Sequence, residues 1–527
     1  MILKNKVVQL CFGLLLGAIV LAVPRPEGTK FEILGDPDRK VLARLSNDFQ
    51  IHTEAGLKTK GYILKALNPG QPGATADRIE AEVKSMDLKG VGVEYVDGLT
   101  PKAHRLLAIL AFLVFMFIFE PLPLEITAIS IAVLLVIMGI SDVKGAWSAY
   151  MHPVVVFIMC CLIFAIALEK AGLTKRLGYA VARRAGDSVV AFTFVLAIGL
   201  GIASSVMHDA AATAIAIATM LPLMRAAGIQ PNTNTARFMM LAVPFACSAG
   251  GMGTLVGGGR CMVSAAFLKE FTGIEISFLD WFIFAFPAAM VTVPVSVIIL
   301  YFLFRPDRSI KMPKFDESIG AWTSLEKRTV LIITLAFGLW FTKSFHGIDY
   351  SITGMLGVAA LVLTRVLQWE DIHTHLEWGT ALFIFGGGLA LGLAMDYSGA
   401  ARYFANLFFP LVKGNGWLLL FASVAVFGAL VTNVMANVAA AALILPIVIP
   451  LAQLEGVDPR ILALCLGMAT SFAYLLVIGC PPNAIAYSYR QFRSWDLTKA
   501  GLVAMPVLLL ILIGVAAVWW RILGLVK

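Results

Sequence analysis

The sequence predicts an all-α polytopic membrane protein with about 11 spans, two re-entrant helical hairpins in an inverted-topology repeat, and a small α/β insert outside the membrane. Three observations lead there. Of 527 residues, 59% are hydrophobic and only 14% are charged, with a mean hydropathy of +0.86. Soluble proteins carry about 25% charged residues. Apolar runs of helix length recur along the chain, without the alternation of a barrel. Two stretches, ALVTNVMANVAAAALILPIVIPL and SFAYLLVIGCPPNAIAYSY, hold polar residues and helix breakers in their middles. An unwound turn in hydrocarbon exposes backbone groups at several kcal/mol each, so such breaks persist only where protein or a solute satisfies them.

Taken in order, Lys4 and Lys6 precede an apolar run from Val7 to Val23, read as a retained first span rather than a signal peptide because no clear small-residue cleavage site follows. Residues 1–28 are that span and its turn. Residues 29–99 are polar and rich in Gly and Pro, with a helix expected at 76–86 and a strand at 90–95. At about seventy residues this insert is near the lower size limit for folding alone. It reads as a decoration packed on the membrane part rather than a ligand-binding lid.

Apolar spans follow at 105–120, 123–140, 153–171, 279–304, 329–345, 352–368, 378–396 and 500–524. The pairs 188–205 with 210–225 and 416–431 with 438–453 are separated by so few residues that each suits a hairpin of two half-length helices. Segments 236–267 and 460–489 read as broken helices. Basic residues place the sides: Lys175, Arg176, Arg183, Arg184, Arg225, Arg237, Arg305, Arg308, Lys311, Lys314, Lys327, Arg328, Arg490 and Arg493 fall on one face, taken as cytoplasmic. The N-terminus is then cytoplasmic, and the insert and C-terminus extracytoplasmic. Hairpin 188–225 opens from inside and hairpin 416–453 from outside.

That count implies a first repeat over 100–315 and a second, inverted one over 316–527. Three blocks match in order: residues 155–176 with 382–402, SSVMHDAAATAIAIATMLPLM with TNVMANVAAAALILPIVIPL, and SAGGMGTLVGGGRCMVSAAF with TSFAYLLVIGCPPNAIAYSY. Paired hairpins and broken helices put a solute site near the midplane.

Candidate site residues follow from chemistry. Asn437 and Asn433 offer amides at the second hairpin tip, where helix N–H groups also point. Pro481 and Pro482 remove N–H donors and force a break, and Asn483 caps the helix after it. Gly250, Gly251 and Gly257–Gly259 allow close backbone approach, with tight helix packing the competing reading, and Gly479 is among the residues that interrupt the second broken segment. Ionisable groups inside a membrane are costly and usually functional. Arg260 is a candidate anion clamp, and Asp209 a cation or proton site with His208 beside it. The competing reading is that Asp209 and Arg260 pair with each other.

The stretches GCPPNAIAYSY, SAGGMGTLVGGG, FIFGGGLALGLAMDYSGAA and PRPEG with LTPKAHRLLAILAFLVFMFIFEPLP resemble the divalent-anion/sodium symporter (DASS) family over residues 1–28 and 98–527. The resemblance implies an inner-membrane homodimer with an elevator motion. It implies small anionic substrates, usually C4–C6 di- or tricarboxylates or sulfate, often with sodium. The family's Ser-Asn-Thr tip triplet falls on Ala436-Asn437-Val438, counted back from Leu445-Pro446. In the first hairpin the same count from Leu221-Pro222 gives Ala212-Thr213-Ala214. Gly259-Arg260-Cys261 stands where Pro-Pro-Asn is usual, and Cys480 replaces a hydroxyl. The expected substrate set is Asn437, Asn433, Thr213, Arg260, Cys480, Pro481, Pro482 and Asn483. The expected cation or proton set is Asp209, His208, Gly250, Gly251, Thr254 and Gly479.

Other classes are disfavoured. No HExxH or GxSxG motif occurs, so an enzyme is not expected and no cofactor beyond sodium ions or protons. The net charge of +8 sits in short loops and is no nucleic-acid signature. The expected partners are the anion, membrane lipid and a second copy of the chain. A sulfate-like carrier and a cation/proton antiporter of related architecture are the alternatives.

Overall fold

The structure is a computed structural model that describes residues 6–26, 30–34, 49–55, 60–66, 92–95, 98–119, 121–182, 184, 187–312, 320–376, 378–404, 407 and 416–526. The chain divides into two compact units. One comprises Met1–Trp147, Ala390–Gly416 and Pro446–Pro459; the other comprises Ser148–Leu389, Trp417–Leu445 and Arg460–Lys527.

In the first unit, α1 (Lys6–Ala22) packs on α2 (Pro101–Phe119). Gly13 and Gly17 let α1 settle against Phe112, Phe115 and the Ala108 carbonyl. The small-residue seam is how helices associate where lipid removes the hydrophobic drive. Helix α3 (Leu124–Ile137) follows. Between α1 and α2 lies a four-stranded antiparallel sheet of β1 (Lys30–Leu34), β2 (Phe49–Ala55), β3 (Lys60–Ala66) and β4 (Gly92–Tyr95), in the order β2-β3-β1-β4. Strand β4 coincides with the strand expected at 90–95; the other three were not anticipated. The helix expected at 76–86 lies outside the described residues.

The second unit holds α4 (Pro153–Lys170), α5 (Val189–Ala203), α6 (Asp209–Ala226), α7 (Asn234–Gly250), α8 (Gly259–Thr272), α9 (Phe278–Phe304) and α10 (Tyr350–Leu363). Helix α11 (Phe385–Tyr397) starts in it, α12 (Gly416–Val431) follows, and α13 (Asn437–Leu454) begins in it. It closes with α14 (Pro459–Ala469), α15 (Pro481–Ser488) and α16 (Ser494–Ile522). Its core forms around α7 and α14, which are buried on every side from Phe238 to Gly250 and from Ile461 to Ala469. A helix that is apolar all round belongs in such a place. Helix α7 packs against α5, α6, α9 and α15, and α9 packs against α16. Outside these elements, Asp371 is held below the usual carboxylate range, chiefly by a hydrogen bond from Lys170.

Among the described residues, five helices are long and apolar enough to cross a membrane by themselves: Val143–Lys170, Asp209–Ala226, Phe278–Phe304, Asn437–Leu454 and Ser494–Ile522. Seven shorter apolar helices, 10–17 residues long, accompany them. The arms of the two helix pairs are longer than expected. Helices α5, α6, α12 and α13 have 15, 18, 16 and 18 residues. At 1.5 Å per residue they reach about 22–27 Å, so they are not half-length pieces of a roughly 30 Å hydrocarbon core.

Candidate functional site

The two broken helices break in the same way. Helix α7 ends at Gly250; Thr254 is extended (φ −137°, ψ 169°), Leu255–Gly257 form one 3₁₀ turn, Gly258 is extended (φ −161°, ψ 139°), and α8 starts at Gly259. Helix α14 ends at Ala469; Leu476 is extended (φ −123°, ψ 148°), Val477–Gly479 form one 3₁₀ turn, Cys480 is extended (φ −153°, ψ 155°), and α15 starts at Pro481. Thr254, Gly257, Gly258, Gly259, Arg260 and Cys261 thus stand opposite Leu476, Gly479, Cys480, Pro481, Pro482 and Asn483.

The helix pairs turn in the same way too. Five residues, Ser204–His208 and Thr432–Ala436, connect the arms, and the second arms start at Asp209 and Asn437. The register corrects the proline count. The counterpart of Asn437 is Asp209, and His208-Asp209-Ala210, not Ala212-Thr213-Ala214, stands opposite Ala436-Asn437-Val438. Thr213 lies one turn inside α6, where its hydroxyl donates to the Asp209 carbonyl at 2.8 Å. It is fully buried and away from the tip. The count slipped because α13 carries prolines at both 446 and 450, one helical turn apart, and the turn aligns Pro222 with the second.

Each tip holds the break of its own half. The last carbonyls of a helix have no intrahelical partner and need donors from elsewhere. Ser204 Oγ donates to the Cys247 carbonyl and Ser205 Oγ to the Gly250 carbonyl, both at 2.7 Å. In the second half Asn433 Nδ2 donates to the Phe472 carbonyl at 3.5 Å, and Thr432 Oγ1 lies 3.4 Å from the Thr470 carbonyl. Asn433 Oδ1 also accepts from the Leu475 N–H at 2.6 Å, and Thr432 donates to Asn437 Oδ1 at 2.8 Å. Thr254 donates to the Ser205 carbonyl, fixing the first break from the other side. Gly250 must be glycine: a Cβ there would lie 1.7 Å from the Gly201 carbonyl oxygen. Gly251 sits between Asp209 and Arg260, and Gly479 lies against Ala473 and the Asn433 carbonyl. The reading of Gly250 and Gly251 as tight packing positions is the one this geometry carries.

Arg260 joins tip and breaks. Nη1 lies 3.0 Å from Asp209 Oδ2, Nη2 donates to the Ser248 carbonyl at 3.1 Å, and Nε donates to Ser471 Oγ at 2.8 Å. Arg260 and Asp209 are 2% and 1% exposed. The competing reading, that the two pair, is what the geometry shows, so Arg260 does not present a free fork as expected of an anion clamp. The reason is register: both residues occupy the first turn of a helix, and the two helix starts meet. The other carboxylate oxygen, Oδ1, is 3.2 Å from His208 Nδ1. Burying an ion pair gains little net free energy, but removing one partner costs about 3–5 kcal/mol.

The second half is neutral. Asn483 Nδ2 donates to the Ala473 and Leu476 carbonyls at 2.7 and 3.2 Å, as Cys261 Sγ approaches the Gly251 carbonyl at 3.8 Å in the first half. Those two donations fix the amide's orientation and leave Asn483 Oδ1 buried and without a hydrogen-bond partner. Cys480 Sγ lies 3.7 Å from Ser248 Oγ and from the Ala473 carbonyl. Pro482 is buried and Pro481 exposed. Break carbonyls that remain find Trp281 Nε1 (to Met252, 3.1 Å) and Thr498 Oγ1 (to Leu475, 2.8 Å).

The sequence reading missed Ser204, Ser205, Thr432, Ser248 and Ser471, which hold the tips and Arg260. It also missed Phe385, whose ring lies against Gly259. Laying the two repeats over one another residue by residue was the signal that exposes the three tip hydroxyls. Ser248 and Ser471 show only once the breaks meet in space.

A chain of apolar helices with paired tips and paired breaks is a multi-pass membrane transporter, and the comparisons agree. The family model described as the sodium:sulfate symporter transmembrane region matches residues 93–526, so the chain belongs to that family, the divalent-anion/sodium symporters, a family of transporters rather than enzymes. An uncharacterised transporter of Haemophilus influenzae is 28% identical over 437 residues, 80% of this chain and 92% of that protein. Sodium-dependent dicarboxylate transporters of Staphylococcus saprophyticus and Staphylococcus aureus are 26% and 27% identical, over 77% and 76% of this chain and 84% and 82% of theirs. The crystal structure of the Alcanivorax borkumensis YdaH transporter is similar in fold, with a TM-score of 0.50 and 18% identity over 71% of this chain and 86% of that one. The protein is therefore a multi-pass bacterial membrane protein.

Proposed function

We propose that the protein is a secondary active transporter that carries a C4–C6 dicarboxylate across the cytoplasmic membrane. The observation that carries this reading is the matched pair of tip-to-break contacts, Ser205 to Gly250 and Asn433 to Phe472, in a chain of this family. Two tips and two breaks held together leave helix N-termini at Asp209, Gly259, Asn437 and Pro481, and N-terminal N–H groups favour an anion. The sodium-dependent dicarboxylate transporters among the relatives support the substrate class. Residues 100–315 and 316–527 act as inverted repeats, with 188–225 and 416–453 as re-entrant hairpins. A homodimer works by an elevator motion, with the N-terminus cytoplasmic and residues 29–99 outside.

Sodium coupling belongs to the second half. Asn483 Oδ1 is a buried acceptor in need of a donor or a cation, and Asn433, Gly479 and Asn483 would hold one sodium ion. Its charge would offset part of the dianion's. In the first half the guanidinium of Arg260 already occupies the place of a cation beside Asp209, so Asp209, Gly250, Gly251 and Thr254 hold no metal in this reading. Asn437 and Cys480 remain substrate-side candidates.

Proteoliposome uptake of labelled succinate, 2-oxoglutarate, citrate and sulfate tests this, each with and without sodium and with internal counter-substrate. Sodium-stimulated dicarboxylate uptake is expected. Inertness toward every anion refutes the reading, and uptake that runs only by exchange refutes the sodium assignment.

A further inference from the structure

His208 Nδ1 faces two groups with opposite demands. It caps α6 by accepting the Ala210 N–H at 3.4 Å, and it lies 3.2 Å from Asp209 Oδ1. As an acceptor, Nδ1 serves the cap and turns a lone pair on the carboxylate. As a donor, it gives up the cap and holds Asp209. One nitrogen cannot do both: the Ala210 cap goes with a neutral ring whose hydrogen is on Nε2, whereas the imidazolium, with a hydrogen on each nitrogen, turns Nδ1–H to Asp209. Asp209 meanwhile reaches Arg260 through its other oxygen. Exchange of a proton with water needs an exposed group, and the His208 side chain is 28% exposed where that of Asp209 is 2%. Imidazole is also the side chain that changes charge between about pH 5 and 8. The charged and titratable groups around the cluster are Asp209 on α6, Arg260 on α8, the thiols of Cys247 on α7, Cys261 on α8 and Cys480 ahead of α15, and the phenol of Tyr474 in the second break, whose hydroxyl donates to the Phe245 carbonyl.

We propose that His208 is the proton-binding residue of the transport cycle: a proton taken onto Nδ1 draws Asp209 off Arg260, and the freed Nη1 binds a carboxylate of the substrate. The proton comes from water, adds to the imidazole lone pair, and returns to water when the anion leaves. No covalent bond among heavy atoms changes. One proton then travels with each anion. By linkage, the anion raises proton affinity as much as the proton raises anion affinity. This inference rests on the transport reading above.

Fumarate is the probe, because both its carboxylates stay ionised above about pH 6, where the profile is read. In the full-length protein in proteoliposomes, the half-saturating fumarate concentration should rise with pH, by up to about tenfold per pH unit above the imidazole range. Calorimetric titration in two buffers of different ionisation heat should show protons taken up with fumarate. His208→Asn keeps a side chain that caps helices well and cannot be protonated. It should flatten the pH profile and abolish the proton uptake, as should Asp209→Asn. A His208→Asn protein that takes up fumarate with the native pH profile overturns the inference, as does fumarate binding to the native protein without proton uptake. Fumarate taken up with a flat native profile overturns this inference alone; no fumarate binding or uptake at any pH overturns the transport reading with it.

Discussion

Arg260 has one charged partner and two neutral ones, and this division decides what its removal does. Its Nη1 meets Asp209, while Nη2 and Nε meet the Ser248 carbonyl and the Ser471 hydroxyl. Arg260→Gln leaves Asp209 as a buried carboxylate with only His208 beside it, which should cost about 3–5 kcal/mol of stability. Arg260→Gln with Asp209→Asn removes both charges at once and should cost much less than the two single changes added together. Thermal unfolding of the four proteins in detergent gives the coupling as a double-mutant cycle. Additive losses would show that the pair is not a unit. An arginine inside the membrane was legible as a functional candidate from its cost alone. Its pairing with Asp209 was legible as the competing reading; Ser471 was not, because it lies in the other broken helix and reaches Arg260 only when the two breaks meet.

At the scale of elements, the breaks are held by backbone proximity that side-chain movement cannot relieve. A Cβ on Gly250 would sit 1.7 Å from a carbonyl oxygen of α5, whereas a Cβ on Gly514 in α16 would meet nothing within 4 Å. Gly250→Ala should therefore destabilise by more than the roughly 1–3 kcal/mol of ordinary overpacking. Gly514→Ala should be neutral or stabilise by up to about 1 kcal/mol through helix propensity. Fluorescence-detected size exclusion after heating separates the two outcomes, and equal behaviour would show that α5 and α7 can part cheaply. Most helices were legible because apolar runs and hydrocarbon thickness constrain each other: 279–304 was expected and Phe278–Phe304 is observed. The tip at Asp209 was misplaced by one turn for a local reason. Prolines four residues apart look alike to a count, whereas the match of SSVMHD with TNVMAN already sets Asp209 with Asn437, and the turn geometry agrees with that match. In the insert, one strand of four was anticipated: FQIHTEA and most of KFEIL alternate polar and apolar residues and were overlooked among the charges around them, while KGYILKA lacks clean alternation.

For the molecule as a whole, the two halves share a backbone but differ in charge. In the second half of the site Asn483 Oδ1 is buried without a hydrogen-bond partner. The first half carries Asp209 and Arg260, with His208 against the other carboxylate oxygen. A dianion accompanied by one sodium ion and one proton carries no net charge, so native uptake should ignore the membrane potential. Removing the proton site changes that. In His208→Asn, a dianion with one sodium ion carries one negative charge inward, and an inside-negative potential opposes it by about 2.3 kcal/mol per 100 mV. That is roughly a 50-fold loss of accumulation at equilibrium. Potassium gradients with valinomycin set the potential in proteoliposomes, and fumarate accumulation reads the result. Native protein should accumulate equally at zero and at inside-negative potential, while His208→Asn should accumulate far less at the latter. Voltage-sensitive accumulation by the native protein would mean that the two halves do not divide sodium and proton between them as their charges dictate.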